Sequence, residues 1–316
     1  MGKASADTKI AIVGAGSIGI GWALHFASHG HAVRLFDVDA TQRASVDSRV
    51  RERLVLLKDH GLISESIETI AERVSTLDSL SGAVEGADYI QECGPENVDF
   101  KRELFLEIES SASDSAVIAS SSSAIASSKF TQDMRRPERA LIVHPGNPPY
   151  LLLVSELVPH AKTSQETLDF VKELLESTGM SAVIVRGEPE GFVFNRLQGA
   201  VLREAYCLVR DGVISPRELD EIMIRGLGKR WSLIGAFGTS ALNVKGGITA
   251  HAARMADSYH RMGKERGQDD PWDQELVAKV AKDISRKFAP EDWEQDVLKR
   301  DLALMKLTAL MKELGL

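Results

Sequence analysis

Lys9-Ile10-Ala11-Ile12-Val13-Gly14-Ala15-Gly16-Ser17-Ile18-Gly19 decides the reading of this chain. An apolar run fit for a buried strand ends in a Gly-x-Gly-x-x-Gly pattern, and a helical pattern begins inside it. Gly14 permits the tight turn out of the strand, Gly16 lets the backbone approach a pyrophosphate, and Gly19 lets the following helix pack against the strand. The helix N-terminus then turns free N–H groups and a partial positive charge toward the phosphates. Asp37 stands 18 residues beyond Gly19, at the end of a second apolar run, Ala32-Val33-Arg34-Leu35-Phe36. A carboxylate there binds both ribose hydroxyls and repels a 2′-phosphate, so the spacing predicts NAD rather than NADP.

Working outward, residues 9–37 read as strand, turn, helix, strand, with Gly30 as a helix C-cap. Residues 41–60 read as one helix, because Val46, Val50, Leu54 and Leu57 recur at helical spacing. A short helix over 66–74 and a strand over 74–77 follow. Strands are expected at 87–93, 117–119, 140–143 and 183–185, with helices over 97–111 and 164–178. Alternating strands and helices predict a doubly wound, mostly parallel Rossmann sheet in an α/β protein. After Gly187-Glu188-Pro189-Glu190-Gly191 the strand patterns stop. The expected division is a dinucleotide-binding domain over 1–190 and an all-helical domain over 191–316. In the second, Ser215-Pro216 reads as an N-cap with proline at the first helical position, and Pro290 to Leu316 reads as a long helix.

Composition narrows the function classes. At 316 residues the chain has room for two domains, and its 43% hydrophobic and 27% charged residues are ordinary for a globular protein. A net charge of −8 without a long basic cluster argues against a nucleic-acid partner. Cys93 and Cys207 have no metal-ligand spacing and read as free thiols in a reducing compartment. With no apolar signal region and no run long enough to span a bilayer, the expectation is a cytoplasmic protein without a membrane or metal partner.

A Rossmann domain establishes a dinucleotide and leaves the reaction open. Ligands of such sheets sit at the carboxyl ends of the strands. Gly94-Pro95-Glu96-Asn97 follows one strand, Ser120-Ser121-Ser122-Ser123 another, and His144-Pro145-Gly146-Asn147 a third. Histidine is the side chain whose charge changes nearest working pH, which suits His144 to a general base. Glu156, in a further apolar run, can hold one ring nitrogen. Ser123 offers a hydroxyl to a substrate oxygen, and Asn147 and Asn195 offer neutral donors. Each has a plainer reading when taken singly. His144 reads as a loop residue, Glu156 as an edge-strand surface group, the serines as a loop, and Asn195-Arg196 as a helix cap and a surface charge. Their joint placement at strand ends argues for a site. Arg230, flanked by Gly226, Gly228 and Gly235, can grip a substrate carboxylate with two parallel bonds. A surface arginine or an intersubunit salt bridge is the competing reading.

These residues resemble the 3-hydroxyacyl-CoA dehydrogenase superfamily. The matching pieces are the glycine motif, Asp37, Pro95-Glu96-Asn97 with Lys101, Ser122-Ser123, His144-x-x-Asn147-Pro148, Glu156 and Gly191-Phe192-Val193-Phe194-Asn195-Arg196. Gln91-Glu92-Cys93, His144-Pro145-x-Asn147-Pro148-Pro149-Tyr150, Glu156-Leu157-Val158-Pro159-His160 and Gly226-Leu227-Gly228-x-Arg230 resemble its lambda-crystallin branch, which includes L-gulonate 3-dehydrogenase. The resemblance implies that Ser17, Ile18, Asp37, Glu96 and Lys101 bind NAD. It implies that His144 takes the hydroxyl proton, that Glu156 orients it, that Ser123 and Asn195 hold the reacting oxygen, and that Asn147 supports the geometry. It also implies a homodimer built through the helical domain. The expected substrate is a small L-3-hydroxy acid, L-gulonate first. A 3-hydroxybutyryl-CoA dehydrogenase is the alternative, weakened because only Lys58 stands near for the CoA phosphates and Pro145-Gly146 replace the aromatics usual there. L-carnitine is a third substrate, for which Trp231 could face the ammonium. A structural, crystallin-like NAD-binding protein is the non-enzymatic reading, against which the complete catalytic set stands.

Overall fold

The structure, a computed structural model, describes residues 5, 7–245, 247–265, 275, 278 and 289–313. The chain forms two compact units, one of Met1–Arg196 with Arg300–Leu314, the other centred on Leu197–Lys299.

The first unit is built on an eight-stranded sheet. Its strands are β1 (Ile10–Val13), β2 (Val33–Phe36), β3 (Val74–Thr76), β4 (Tyr89–Glu92), β5 (Val117–Ser120), β6 (Ala140–Pro145), β7 (Val154–Pro159) and β8 (Ser181–Ile184). They lie in the order β3-β2-β1-β4-β5-β6-β7-β8. Every neighbouring pair is parallel except β6–β7, which is antiparallel. The expected mostly parallel Rossmann sheet is therefore present. The inner strands β1, β4, β5 and β6 are buried on both faces, as a parallel sheet covered by helices requires, whereas the edge strands β3 and β8 are largely exposed. Along β1 the pleat sends Ile10 and Ile12 into one apolar cluster and Ala11 and Val13 into the other.

Helices α1 (Ser17–Ser28), α2 (Ala40–Ala44), α3 (Val46–Asp59), α4 (Ile67–Ala71), α5 (Leu80–Val84), α6 (Val98–Ser111) and α7 (Gln165–Ser177) connect the strands. Trp22 of α1 stacks on Phe26 with ring centroids 5.5 Å apart, inside the first cluster. Phe105 of α6 meets Phe130 edge-on at 4.8 Å in the second. The segment 41–60 is two helices rather than one. Ser45 gives its hydroxyl to the carbonyl of Gln42, the local competition that makes serine a helix boundary. The late strand starts at Ser181, two residues before the expected position, because Ser181 N–H already bonds the carbonyl of Leu153.

Helix α8 (Phe194–Arg210) leads into the second unit. There α9 (Pro216–Ile222) opens with a complete capping box between Ser215 and Glu218. It passes through a π-helical turn, Met223–Gly228, into α10 (Lys229–Leu242), and α11 (Gly247–Glu265) follows. The unit is helical, as expected, among the described residues. Gly235 breaks α10 at φ 61, ψ −179, a conformation open in practice to glycine alone. A last helix, α12 (Trp293–Glu313), carries Met305, fully buried in the sheet unit's first cluster. The long helix expected from Pro290 to Leu316 opens on a 3-10 turn, Pro290–Asp292, and its residues 314–316 lie outside the described residues. Among the described residues no helix is long and apolar enough to cross a membrane.

Candidate active site

The sheet order reverses between β1 and β4, and a crevice opens there at the carboxyl ends of the strands. Gly14 turns out of β1 at φ 111, and a Cβ on it would stand 2.8 Å from the carbonyl oxygen of Cys93. A Cβ on Gly19 would stand 1.9 Å from the carbonyl oxygen of Gly14, so α1 presses directly on the turn. Gly16 faces open space on its Cβ side and has no side chain to cap α1. The first bond internal to the helix runs from Ile20 N–H to the Gly16 carbonyl, leaving the N–H groups of Ser17, Ile18 and Gly19 for an anion. Asp37 accepts from Ala15 N–H at 2.6 Å and from Asp39 N–H at 2.8 Å. Arg49 donates to the Ala15 carbonyl at 2.6 Å. Both polar groups of the residue between the first two glycines are thus held by side chains. The open cradle, the uncapped helix turn and the ribose-side carboxylate fit a dinucleotide.

Two carboxylates tie the ends of β4 and β5 together. Glu92, fully buried, accepts both Lys101 contacts at 2.8 and 2.9 Å, the Ser120 hydroxyl at 2.5 Å and the Gly94 N–H at 2.5 Å. Lys101, expected to reach NAD, is itself buried on this partner. Sequence reasoning missed Glu92, although a carboxylate at the end of an expected buried strand, Ala87 to Cys93, demands a buried cation. Glu96, beyond the turn, accepts the Ser122 hydroxyl at 2.8 Å, the Ser123 hydroxyl at 3.0 Å and the Ser123 N–H. Burial alone would raise its pKa. The N–H and hydroxyl donors, with the charge of Lys101, outweigh burial and hold the carboxyl below its usual range. Asn97 caps α6 by accepting from Phe100 N–H.

The antiparallel pair supplies the remaining groups. Strand β6 runs two residues beyond the expected 140–143, through His144 to Pro145, so His144 is a strand residue and stands in register opposite Glu156 of β7. Its Nδ1 lies 2.9 Å from Glu156 Oε2, both side chains being nearly buried. The other carboxylate oxygen accepts the N–H groups of Val193 and Phe194 at 2.8 and 3.0 Å, at the start of α8. Glu156 thus joins the imidazole to a helix N-terminus. Phe192 and Phe194 close on the ring at 5.8 and 6.1 Å, and Phe192 is held at φ 50, unusual for a bulky side chain. Asn195 donates to the carbonyl of Ser123 at 2.8 Å. Asn147 is exposed in the β6–β7 turn, where a Cβ on Gly146 would meet Leu152 Cβ at 2.7 Å. With Nδ1 bonded, Nε2 remains to exchange a proton with a ligand. Arg230 lies on α10 in the second unit and gives one N–H to Asn243 at 3.1 Å. The structure therefore brings His144, Glu156, Asn195, Ser123 and Glu96 into one chain of contacts.

Comparison with known proteins agrees with this geometry. Residues 9–188 match the NAD-binding domain of 3-hydroxyacyl-CoA dehydrogenase, and residues 191–287 match its C-terminal domain. Lambda-crystallin of Oryctolagus cuniculus is 36% identical over 307 residues, covering 94% of this chain and 96% of the relative. L-Carnitine dehydrogenase of Pseudomonas sp is 36% identical over 232 residues, covering 73% of this chain and 71% of the relative. Among solved structures, FHMPC 5-dehydrogenase, described as an NAD+-dependent dismutase, superposes with a TM-score of 0.82 at 26% identity, covering 98% of this chain and 99% of its own. The dinucleotide that fits the crevice is NAD.

Proposed function

This chain belongs to the 3-hydroxyacyl-CoA dehydrogenase family, and we propose that it oxidises the 3-hydroxyl of a small L-3-hydroxy acid, with L-gulonate going to 3-dehydro-L-gulonate. The observation that carries this reading is the buried His144–Glu156 pair, 2.9 Å apart at the end of the sheet. His144 Nε2 takes the hydroxyl proton as C3 is oxidised, and Glu156 fixes the ring and stabilises the cation that forms. Ser123 and Asn195 hold the reacting oxygen, Asn147 supports the turn, and Arg230 takes the substrate carboxylate. Gly14, Gly16, Ser17, Ile18, Gly19, Asp37 and Glu96 hold the cofactor, and Lys101 acts from behind them by fixing Glu92 at the end of β4. Bound NAD supplies the oxidant, taking the two electrons and the hydrogen that leave C3.

The likeness to lambda-crystallin along nearly the whole chain supports a free acid as substrate. So does Lys58, whose ammonium is tied to the carbonyls of Ser64 and Glu65 at 2.6 and 3.0 Å and is poorly placed to meet CoA phosphates. In this reading residues before about 190 bind the cofactor, and those after it complete the substrate site and pair two copies of the chain. Apolar side chains left in water on α10 support the pairing. Leu233 is 57%, Phe237 83% and Leu242 75% exposed.

NADH formation at pH 8–9 tests the reading on L-gulonate, L-3-hydroxybutyrate, L-carnitine and L-3-hydroxybutyryl-CoA. Turnover that favours L-gulonate or another free acid is expected. Preference for the CoA thioester overturns the free-acid reading, and no turnover of any member removes the enzymatic one.

A further inference from the structure

Donors that the proposed function assigns to the substrate are engaged within the chain. The Ser123 hydroxyl donates to Glu96 Oε1 at 3.0 Å, and the Ser123 N–H donates to the same oxygen. Asn195 spends one of its two amide N–H groups on the Ser123 carbonyl at 2.8 Å. A serine hydroxyl carries a single proton. Pointed at Glu96, the Ser123 hydroxyl can accept a hydrogen bond but cannot give one. The substrate's own hydroxyl proton goes to His144, and Asn195 keeps one N–H for the substrate oxygen. For Ser123 to give that oxygen a second hydrogen bond, its hydroxyl must turn away from Glu96.

Glu96 also belongs to the other half of the site. It lies four residues past the end of β4, which pairs with β1 where the sheet order reverses and a dinucleotide crosses. Ribose hydroxyls are donors in search of a carboxylate. We infer that Glu96 is a positioning residue that links the two ligands. It holds the Ser123 hydroxyl until the ribose hydroxyls of NAD take its carboxylate, and the freed hydroxyl then donates to the substrate oxygen. Cofactor and hydroxy acid accordingly bind cooperatively, cofactor first. The Ser122 hydroxyl, at 2.8 Å from Oε2, keeps the carboxylate anchored while its other oxygen changes partner. The substrate half of this exchange rests on the proposed function, but its cofactor half does not.

The cofactor half is tested by titrating NADH into the full chain without substrate, following nicotinamide fluorescence. Ser123→Ala removes the competitor for Glu96, so NADH binding is expected to tighten by roughly tenfold, the size of a charge-assisted hydrogen bond. In a Glu96→Gln background the same serine change is expected to alter NADH affinity by no more than about twofold. Ser123→Ala leaving NADH affinity unchanged, or weakening it, overturns the exchange. The substrate half is read by calorimetric titration of L-gulonate, a non-reacting partner of NADH, with and without NADH. Wild type should gain roughly tenfold in L-gulonate affinity with NADH present and Glu96→Gln should not. Equal cooperativity in the two proteins overturns the link between the ligands. L-Gulonate failing to bind, with the NADH cycle as expected, overturns the substrate assignment and leaves the cofactor half supported.

Discussion

At the β1 turn the groups that face the phosphates belong to the backbone, whereas at the β6–β7 side the groups that face a ligand belong to side chains. The first side is a turn of glycines pressed between Cys93 and α1, with free N–H groups at the helix start. The second is an imidazole and a carboxylate brought face to face by the register of an antiparallel pair. The backbone site tolerates almost any sequence that keeps its glycines. The side-chain site depends on two residue identities and one register. Apart from the exchange through Ser123 and Glu96, the His144–Glu156 pair and the glycine turn should therefore fail separately.

The largest effect is expected from His144→Ala. Turnover should fall by about 10²- to 10⁴-fold, the range of a lost general base, in a steady-state assay. Glu156→Gln keeps an acceptor for Val193 and Phe194 but loses the charge behind the ring. A kcat loss of roughly 10²-fold with NAD KM within about twofold is expected. A matching rise in NAD KM would show that the two sides are not separate.

Gly19→Ala attacks the other side. A methyl 1.9 Å from the Gly14 carbonyl cannot be accommodated without moving α1. Weaker NADH binding by at least about tenfold, and a melting temperature lower by several degrees, are expected from overpacking of roughly 1–3 kcal/mol. Asp37→Asn should narrow the preference for NAD over NADP by about tenfold, because it removes the charge that repels a 2′-phosphate. An unchanged preference would show that Asp37 serves only its bonds to Ala15 and Asp39.

The smallest effect concerns stability alone. Burial, with a smaller contribution from the neighbouring His29 and His31, pushes the pKa of His25 on α1 down to about 3. The unfolded chain takes up this proton near pH 6.5, the folded chain near 3. His25 therefore costs no stability above pH 6.5 and an increasing amount as pH falls from 6.5 toward 3. The slope is at most about 1.4 kcal/mol per pH unit. Urea midpoints measured between pH 7.5 and 5 should fall less steeply in His25→Gln than in wild type.

The backbone side was legible in the sequence because glycine reports backbone geometry directly, and Asp37 lies at a spacing set by one βαβ unit. The strands and most helices were legible from apolar periodicity and caps such as Ser215. The register that sets His144 against Glu156 was not, since alternation within β6 and β7 does not say which residues face each other. Nor was the burial of Lys101 on Glu92, which depends on where α6 crosses the sheet, or the hold of Glu96 on Ser123, which joins loops after two different strands. Met305 reads as one apolar residue in a periodic helix, and its burial against the sheet unit is a tertiary fact.

The most direct test of the separation is the NADH affinity of the His144→Ala protein, titrated beside wild type. An affinity within about twofold of wild type, in a variant whose turnover has collapsed, is the predicted result. NADH binding that falls in step with turnover would contradict it, because the crevice at β1 and β4 would then depend on the pair at β6 and β7.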